Sequence, residues 1–193
     1  MDQAVTCDSS RWIGWRGYLY LYFYRDYQKA IADFDATDSL TPSFIDAPQG
    51  HSVDYWRGHA YLGAKNYEKS IYYYQKHIAH VTQKFGEDWL EPDAFLNLAT
   101  AYYENNALDS MPYYLDKALR YYQDKSADTK YYYALYHKSK GDTLKALTHL
   151  KNGVNDFYAG YFKRRPNYNE EIRQIYVEEL IALEQKLKNP TKR

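Results

Sequence analysis

The chain has 193 residues, 45% of them hydrophobic and 26% charged, the balance of a soluble globular protein with room for one well-buried domain or a short array. Twenty-five Lys and Arg offset twenty-five Asp and Glu, so no net field draws it to nucleic acid or an acidic membrane. One cysteine, Cys7, excludes an intramolecular disulfide or a cysteine zinc site, and no apolar run approaches membrane-spanning length.

The opening residues, MDQAVTCDSS, show neither the basic nor the apolar region of a signal peptide, and Val5-Thr6-Cys7 lacks the apolar segment of a lipoprotein leader. A flexible N-terminus over 1–9 and a cytoplasmic location are expected, with a periplasmic or secreted one open if a leader has been removed. Tyrosine is the compositional anomaly, at 25 residues against seven Phe and four Trp. Several stand in runs, such as Tyr72-Tyr73-Tyr74 and Tyr131-Tyr132-Tyr133. Consecutive helical residues project about 100° apart, so some rings of a triplet are expected on a surface or in a groove.

Four helical hairpins follow, over about 10–42, 51–85, 91–124 and 127–163. Their second helices share a small position at Ala30, Ser70, Met111 and Ala146, and a large one four residues later at Phe34, Tyr74, Leu115 and Leu150. A small side chain lets two helices approach and a large one fills the next layer. The first helices carry a close-approach position at Gly17, Gly58, Ala99 and Ala134, then Tyr20, Tyr61, Tyr102 and His137 three residues on. Asp26, Asp109 and Asp142 are placed to cap second helices, Pro112 fits a first turn, and Gly141 stops a helix before Asp142. Pro42 and the stretch SFIDAPQG separate the first two hairpins, and Pro92 opens the third. After a break at Arg165-Pro166-Asn167, a helix is expected over 167–189, with Ile172, Ile175, Tyr176, Leu180, Leu183 and Leu187 along one stripe, then a tail at 190–193. Nothing alternates with period two, so the class is all-α.

The clearest copy, GHAYLGAKNYEKSIYYYQKHI from Gly58 to Ile78, resembles the tetratricopeptide repeat (TPR), and the resemblance covers roughly residues 10–156. It implies a right-handed α-solenoid of about four hairpins plus a C-terminal capping helix, with an inner groove lined by the first helices that binds peptides or partner proteins. Carried over by position, the groove residues are Tyr18 and Tyr22, then Tyr55, His59 and Leu62, then Leu96, Asn97, Thr100 and Tyr103, and lastly Tyr131, Leu135 and Lys138. A one-residue offset in the first turn touches the first pair. The charged clamp by which some family members grip a C-terminal carboxylate would fall on Gly14, Tyr18, Asp93 and Asn97, of which Asn97 alone is similar. An aromatic groove with His59, Asn97 and Lys138 as polar handles suits an extended peptide of apolar or proline-rich character. The competing reading is that these tyrosines only pack between repeats.

Other constellations look chemical. Asp33-Phe34-Asp35-Ala36-Thr37 matches a phosphatase DxDxT signature, but that chemistry presents the pair at the end of a parallel strand, and these residues belong to a helix. His77 and His80 have metal-ligating spacing without a third ligand, with His77 expected wedged between helices and His80 facing solvent. The segment YAGYFKRR, Tyr158 to Arg165, mixes aromatics with cations as nucleic-acid binders do, and as a solvated helix end does. The expectation is therefore a non-enzymatic adaptor without cofactor or metal, binding a protein or peptide. Self-association through residues 168–189 and RNA binding are the alternatives.

Overall fold

In a computed structural model that describes residues 1–41, 46–163 and 169–189, all regular structure among those residues is helical. Ten α-helices pack against their neighbours: α1 (Asp2–Cys7), α2 (Ser9–Leu19), α3 (Tyr27–Leu40), α4 (Val53–Gly63), α5 (Tyr67–Phe85), α6 (Pro92–Glu104), α7 (Met111–Tyr121), α8 (Ala127–Ser139), α9 (Thr143–Tyr158) and α10 (Val177–Lys188). The chain divides into two compact units, Met1–Leu90 with Tyr168–Ile172, and Glu91–Asn167 with Arg173–Arg193. The first holds α1–α5 and the second α6–α10. The expected breaks at Pro42 and at Arg165-Pro166-Asn167, and the tail 190–193, lie outside the described residues.

Helix starts follow local chemistry. The carboxylates of Asp26 and Asp142 and the amide oxygen of Asn66 accept from the backbone N–H groups of Lys29, Lys145 and Lys69 at 3.1, 3.1 and 3.2 Å. Ser52 and Ser126 do the same for α4 and α8, and each such cap stabilises by about 1 kcal/mol. Asp109 departs from expectation. It sits in a 3₁₀ turn, Leu108–Ser110, α7 starts only at Met111, and the carboxylate takes the amine of Lys140 at 2.7 Å.

The four hairpins share one turn. Each first helix ends on a left-handed residue: Arg25, Lys65, Asn106 and Gly141, with φ of 54°, 59°, 56° and 75°. The next N–H, of Asp26, Asn66, Ala107 and Asp142, donates back to the carbonyls of Tyr20, Tyr61, Tyr102 and His137, each at 2.9 Å. This is the Schellman arrangement that satisfies a helix's last carbonyls. In the first hairpin that bond spans one more residue, and a π-helical turn, Tyr20–Tyr24, absorbs it. That turn is the physical form of the one-residue offset seen in sequence.

Packing follows the sequence ruler. Ala30, Ser70, Met111, Ala146, Phe34, Tyr74, Leu115 and Leu150 are all fully buried. A Cβ on Gly58 would lie 2.6 Å from the Tyr74 ring, and one on Gly17 would lie 2.9 Å from Phe34. Rings then pair between the helices of each later hairpin: Tyr61 with Tyr73 at 5.4 Å, Tyr102 with Tyr114 at 5.6 Å, His137 with His149 at 5.3 Å, all nearly parallel. In the first hairpin Asp33 stands where the second ring would be, and it accepts two bonds from Arg16 at 2.8 and 2.7 Å.

Both chain ends differ from expectation. Residues 2–7, expected to be flexible, form α1, held by the buried Val5 and by an ion pair from Asp2 to Arg16 at 2.8 Å. The last helix, expected from 167, begins at Val177. Residues 171–176 are non-helical, because Ile175 is drawn into the core and Arg173 reaches Glu104. Leu180 and Leu183 are buried, and Leu180 meets Gly153 of α9 so closely that a Cβ there would lie 2.6 Å away. The apolar stripe of α10 is thus spent on α9.

Candidate functional site

Within Met1–Leu90, the five expected groove residues lie largely inside the packed unit. Tyr22, Tyr55, His59 and Leu62 are buried, and Tyr18 is half-buried. They converge on Trp56, whose ring lies 5.4 Å from Tyr18, 6.0 Å from Tyr22, 5.0 Å from Tyr55 and 5.7 Å from His59. All of residues 53–62 of α4 are buried, so this cluster is core. His59 bonds the Tyr55 carbonyl at 3.0 Å, one turn back.

In Glu91–Asn167 with Arg173–Arg193 the positions divide. Leu96, Asn97, Thr100, Tyr131 and Leu135 are buried, Tyr103 is half-buried and Lys138 is exposed. Asn97, the one clamp-like residue, accepts from the amine of Lys163 at 2.7 Å. Thr100 returns its hydroxyl to the carbonyl of Leu96 at 2.9 Å. The triplet Tyr131-Tyr132-Tyr133 overturns the surface argument: all three rings are buried, at 8%, 2% and 7% exposure, because α8 has neighbours on nearly every side. Tyr72-Tyr73-Tyr74 behaves as expected, from 58% exposed at Tyr72 to 0% at Tyr74.

One recess, of about 430 Å³, gathers expected residues from two helices. Tyr103 and Glu104 come from α6, Asn106 and Leu108 from the turn that follows, and Leu135, Lys138 and Ser139 from α8. The turn itself builds the wall, since the left-handed Asn106 reverses the chain there. Burial, then the neighbouring Glu104, raises the Tyr103 hydroxyl's pKa, with Arg173 opposing, so the hydroxyl stays a neutral donor and acceptor. Glu104, Asn106, Leu108 and Ser139 were not singled out in the sequence. Only the helix ends on which they stand, the turn after α6 and the last residue of α8, give a signal for them.

A smaller recess of about 290 Å³ lies between Asp93, Tyr122, Lys125, Ser126 and the stretch 160–163. The Tyr122 hydroxyl donates to Asp93, and the Lys125 amine sits 4.9 Å above the Tyr161 ring. Behind it Asp128 accepts the backbone N–H of Lys163 at 2.7 Å. Burial pushes this carboxyl up to about 7, against the pull of that N–H and of the Lys163 charge.

The remaining constellations are committed to the fold. Asp33 is held by Arg16, Asp35 by Arg57 at 2.8 Å, and the Thr37 hydroxyl by the Asp33 carbonyl, all from the helix α3. Arg57 also meets Asp38 and the buried Asp54 at 3.0 and 3.1 Å. His77 is buried and bonds Ser52 at 2.8 Å, while His80 is half-buried. Among the described residues no group of three His, Cys, Asp or Glu is placed to hold a metal. Of the basic segment, Lys163 is on Asn97, and Arg164 and Arg165 lie outside the described residues. Cys7 is exposed at the end of α1. No described helix is long and apolar enough to cross a membrane. In comparisons with known proteins, no family model and no curated protein matches the chain.

Proposed function

We propose that the protein is a non-enzymatic adaptor of TPR type, which holds an extended peptide segment of a partner protein against α6 and α8. Support for the repeat reading comes from the four-fold recurrence of the left-handed turn and the small-and-large packing positions. One observation carries the binding reading. The recess of about 430 Å³ brings together Tyr103, Leu135 and Lys138, three positions that the resemblance gives to the ligand groove, on the first helices of successive hairpins.

The chemistry suits a peptide. Leu135 and the Tyr103 ring offer an apolar floor, while Asn106 and Ser139 can exchange hydrogen bonds with a backbone. Lys138, which is exposed, provides a charge for a carboxylate. These groups stand on packed helices and a bonded turn, so binding costs little ordering of the protein. The aromatic cluster around Trp56 adds rigidity and not contact.

A random peptide library panned against the full-length chain tests this reading. Enriched peptides should lose at least about tenfold in affinity on Lys138→Glu, an exposed change that leaves helicity intact. Failure to enrich any sequence, or enrichment indifferent to Lys138→Glu, contradicts it.

A further inference from the structure

Arg173 belongs to the non-helical stretch before α10, and its side chain lies on the face that α6 and α8 present. Its Nε is 3.5 Å from Glu104 of α6, and Nη1 and Nη2 are both 3.3 Å from Glu179 at the start of α10. Its charge also faces the phenols of Tyr131 and Tyr132, with Tyr103 beside them. The three rings pack edge to face, Tyr103 to Tyr132 at 5.8 Å and Tyr132 to Tyr131 at 5.6 Å, and Tyr131 and Tyr132 are buried with Arg173 in place. The stretch is anchored on both sides: Gln174 donates to the Lys163 carbonyl at 2.9 Å, and Ile175 is fully buried.

Two carboxylates beside a cluster of phenols suit a guanidinium, whose separate N–H groups can reach both at once: Nε faces Glu104, and Nη1 and Nη2 share one oxygen of Glu179. A lysine ammonium, a single point charge, would give up that divided reach. Two members of this set, Tyr103 and Glu104, also line the recess of the proposed peptide site. The guanidinium place and the recess therefore meet at these two residues.

We infer that this surface is an arginine-recognising site for an extended peptide, and that Arg173 of the chain's own C-terminal stretch fills it in cis. The inference rests on the peptide-binding reading above and deepens it by naming the side chain the ligand brings. A tethered occupant competes at an effective concentration on the order of millimolar. A partner must therefore displace Arg173, and a weak arginine-bearing segment binds only when that residue is withdrawn.

The test uses the full-length chain and two probes, acetyl-arginine amide and acetyl-lysine amide, titrated by NMR while the tyrosine ring resonances are followed. Arg173→Ala should bind the arginine probe at least tenfold more tightly than the wild type does, and at least tenfold more tightly than it binds the lysine probe. Glu104→Gln added to Arg173→Ala should weaken that binding. If Arg173→Ala does not fold by circular dichroism, Arg173→Lys, which keeps the charge and gives up the fork, carries the same comparison. Equal affinity for both probes, equal affinity in wild type and variant, or no binding to a folded variant overturns the inference. Library peptides that remain sensitive to Lys138→Glu while Arg173→Ala takes up no arginine would sink the inference alone. Insensitivity to Lys138→Glu would sink the reading beneath it.

Discussion

At the scale of single residues, the close helix contacts leave the least room. A methyl on Gly58 would lie 2.6 Å from the Tyr74 ring, which is fully buried and cannot swing away. Gly58→Ala should cost about 1–3 kcal/mol, read as a lower urea midpoint at unchanged slope. Tyr55 and Tyr131, at 5% and 8% exposure, are core rings, so replacing either by Ala should cost about 3–5 kcal/mol and destabilise the chain before it touches a ligand. Asp128 gives a pH signature. Its folded pKa of about 7 lies above the ordinary carboxylate value, so the folded state holds a proton that the unfolded chain has released. Stability from this group is therefore greatest below about pH 4 and is lost as pH rises towards 7, at up to about 1.4 kcal/mol per pH unit. The charges that face it are Lys163, which opposes the shift, and Asp93, which adds to it. Asp128→Asn should flatten the fall in melting temperature between about pH 4 and 7. An unchanged profile would remove Asp128 as its source.

At the scale of elements, the recurring turn carries the clearest expectation. Lys65 holds φ of 59° on an exposed helix end, where glycine is at ease. Lys65→Gly should raise stability by about 0.5–1 kcal/mol in thermal unfolding. Deleting the exposed Phe23 from the π-helical turn should restore the shorter spacing of the other hairpins and keep the helical content. The second-helix ruler was legible because Ala30, Ser70, Met111 and Ala146 record a packing rule that acts between neighbours in sequence. So were Asp26 and Asp142, whose bonds reach only three residues, whereas Asp109, read the same way, stands in a 3₁₀ turn and bonds Lys140 instead. The start of α10 was not legible. Ile172, Ile175 and Tyr176 keep helical spacing, but tertiary contacts of Ile175 and Arg173 override it. Nor was the depth of the groove tyrosines, because periodicity locates one buried face and α4 and α8 are buried almost all round. The recess beside Asn106 was legible only as a turn.

At the scale of the whole molecule, the balanced charge leaves specificity to local chemistry, and the described ion pairs serve mainly to join helices. Two readings of the C-terminal stripe part company on truncation. Leu180 packs on Gly153 of α9 and Leu183 is buried beside it, so ending the chain after Tyr176 should expose the face of α9 around Gly153 and cause concentration-dependent aggregation in light scattering. A self-association role would instead make the truncated chain the smaller species. The central claim, that α6 and α8 hold a peptide, is tested most directly by titrating a library-selected peptide into isotope-labelled full-length protein. Shifts should cluster at Tyr103, Asn106, Leu108, Leu135 and Lys138. A peptide that binds and leaves these five resonances unmoved would contradict the claim.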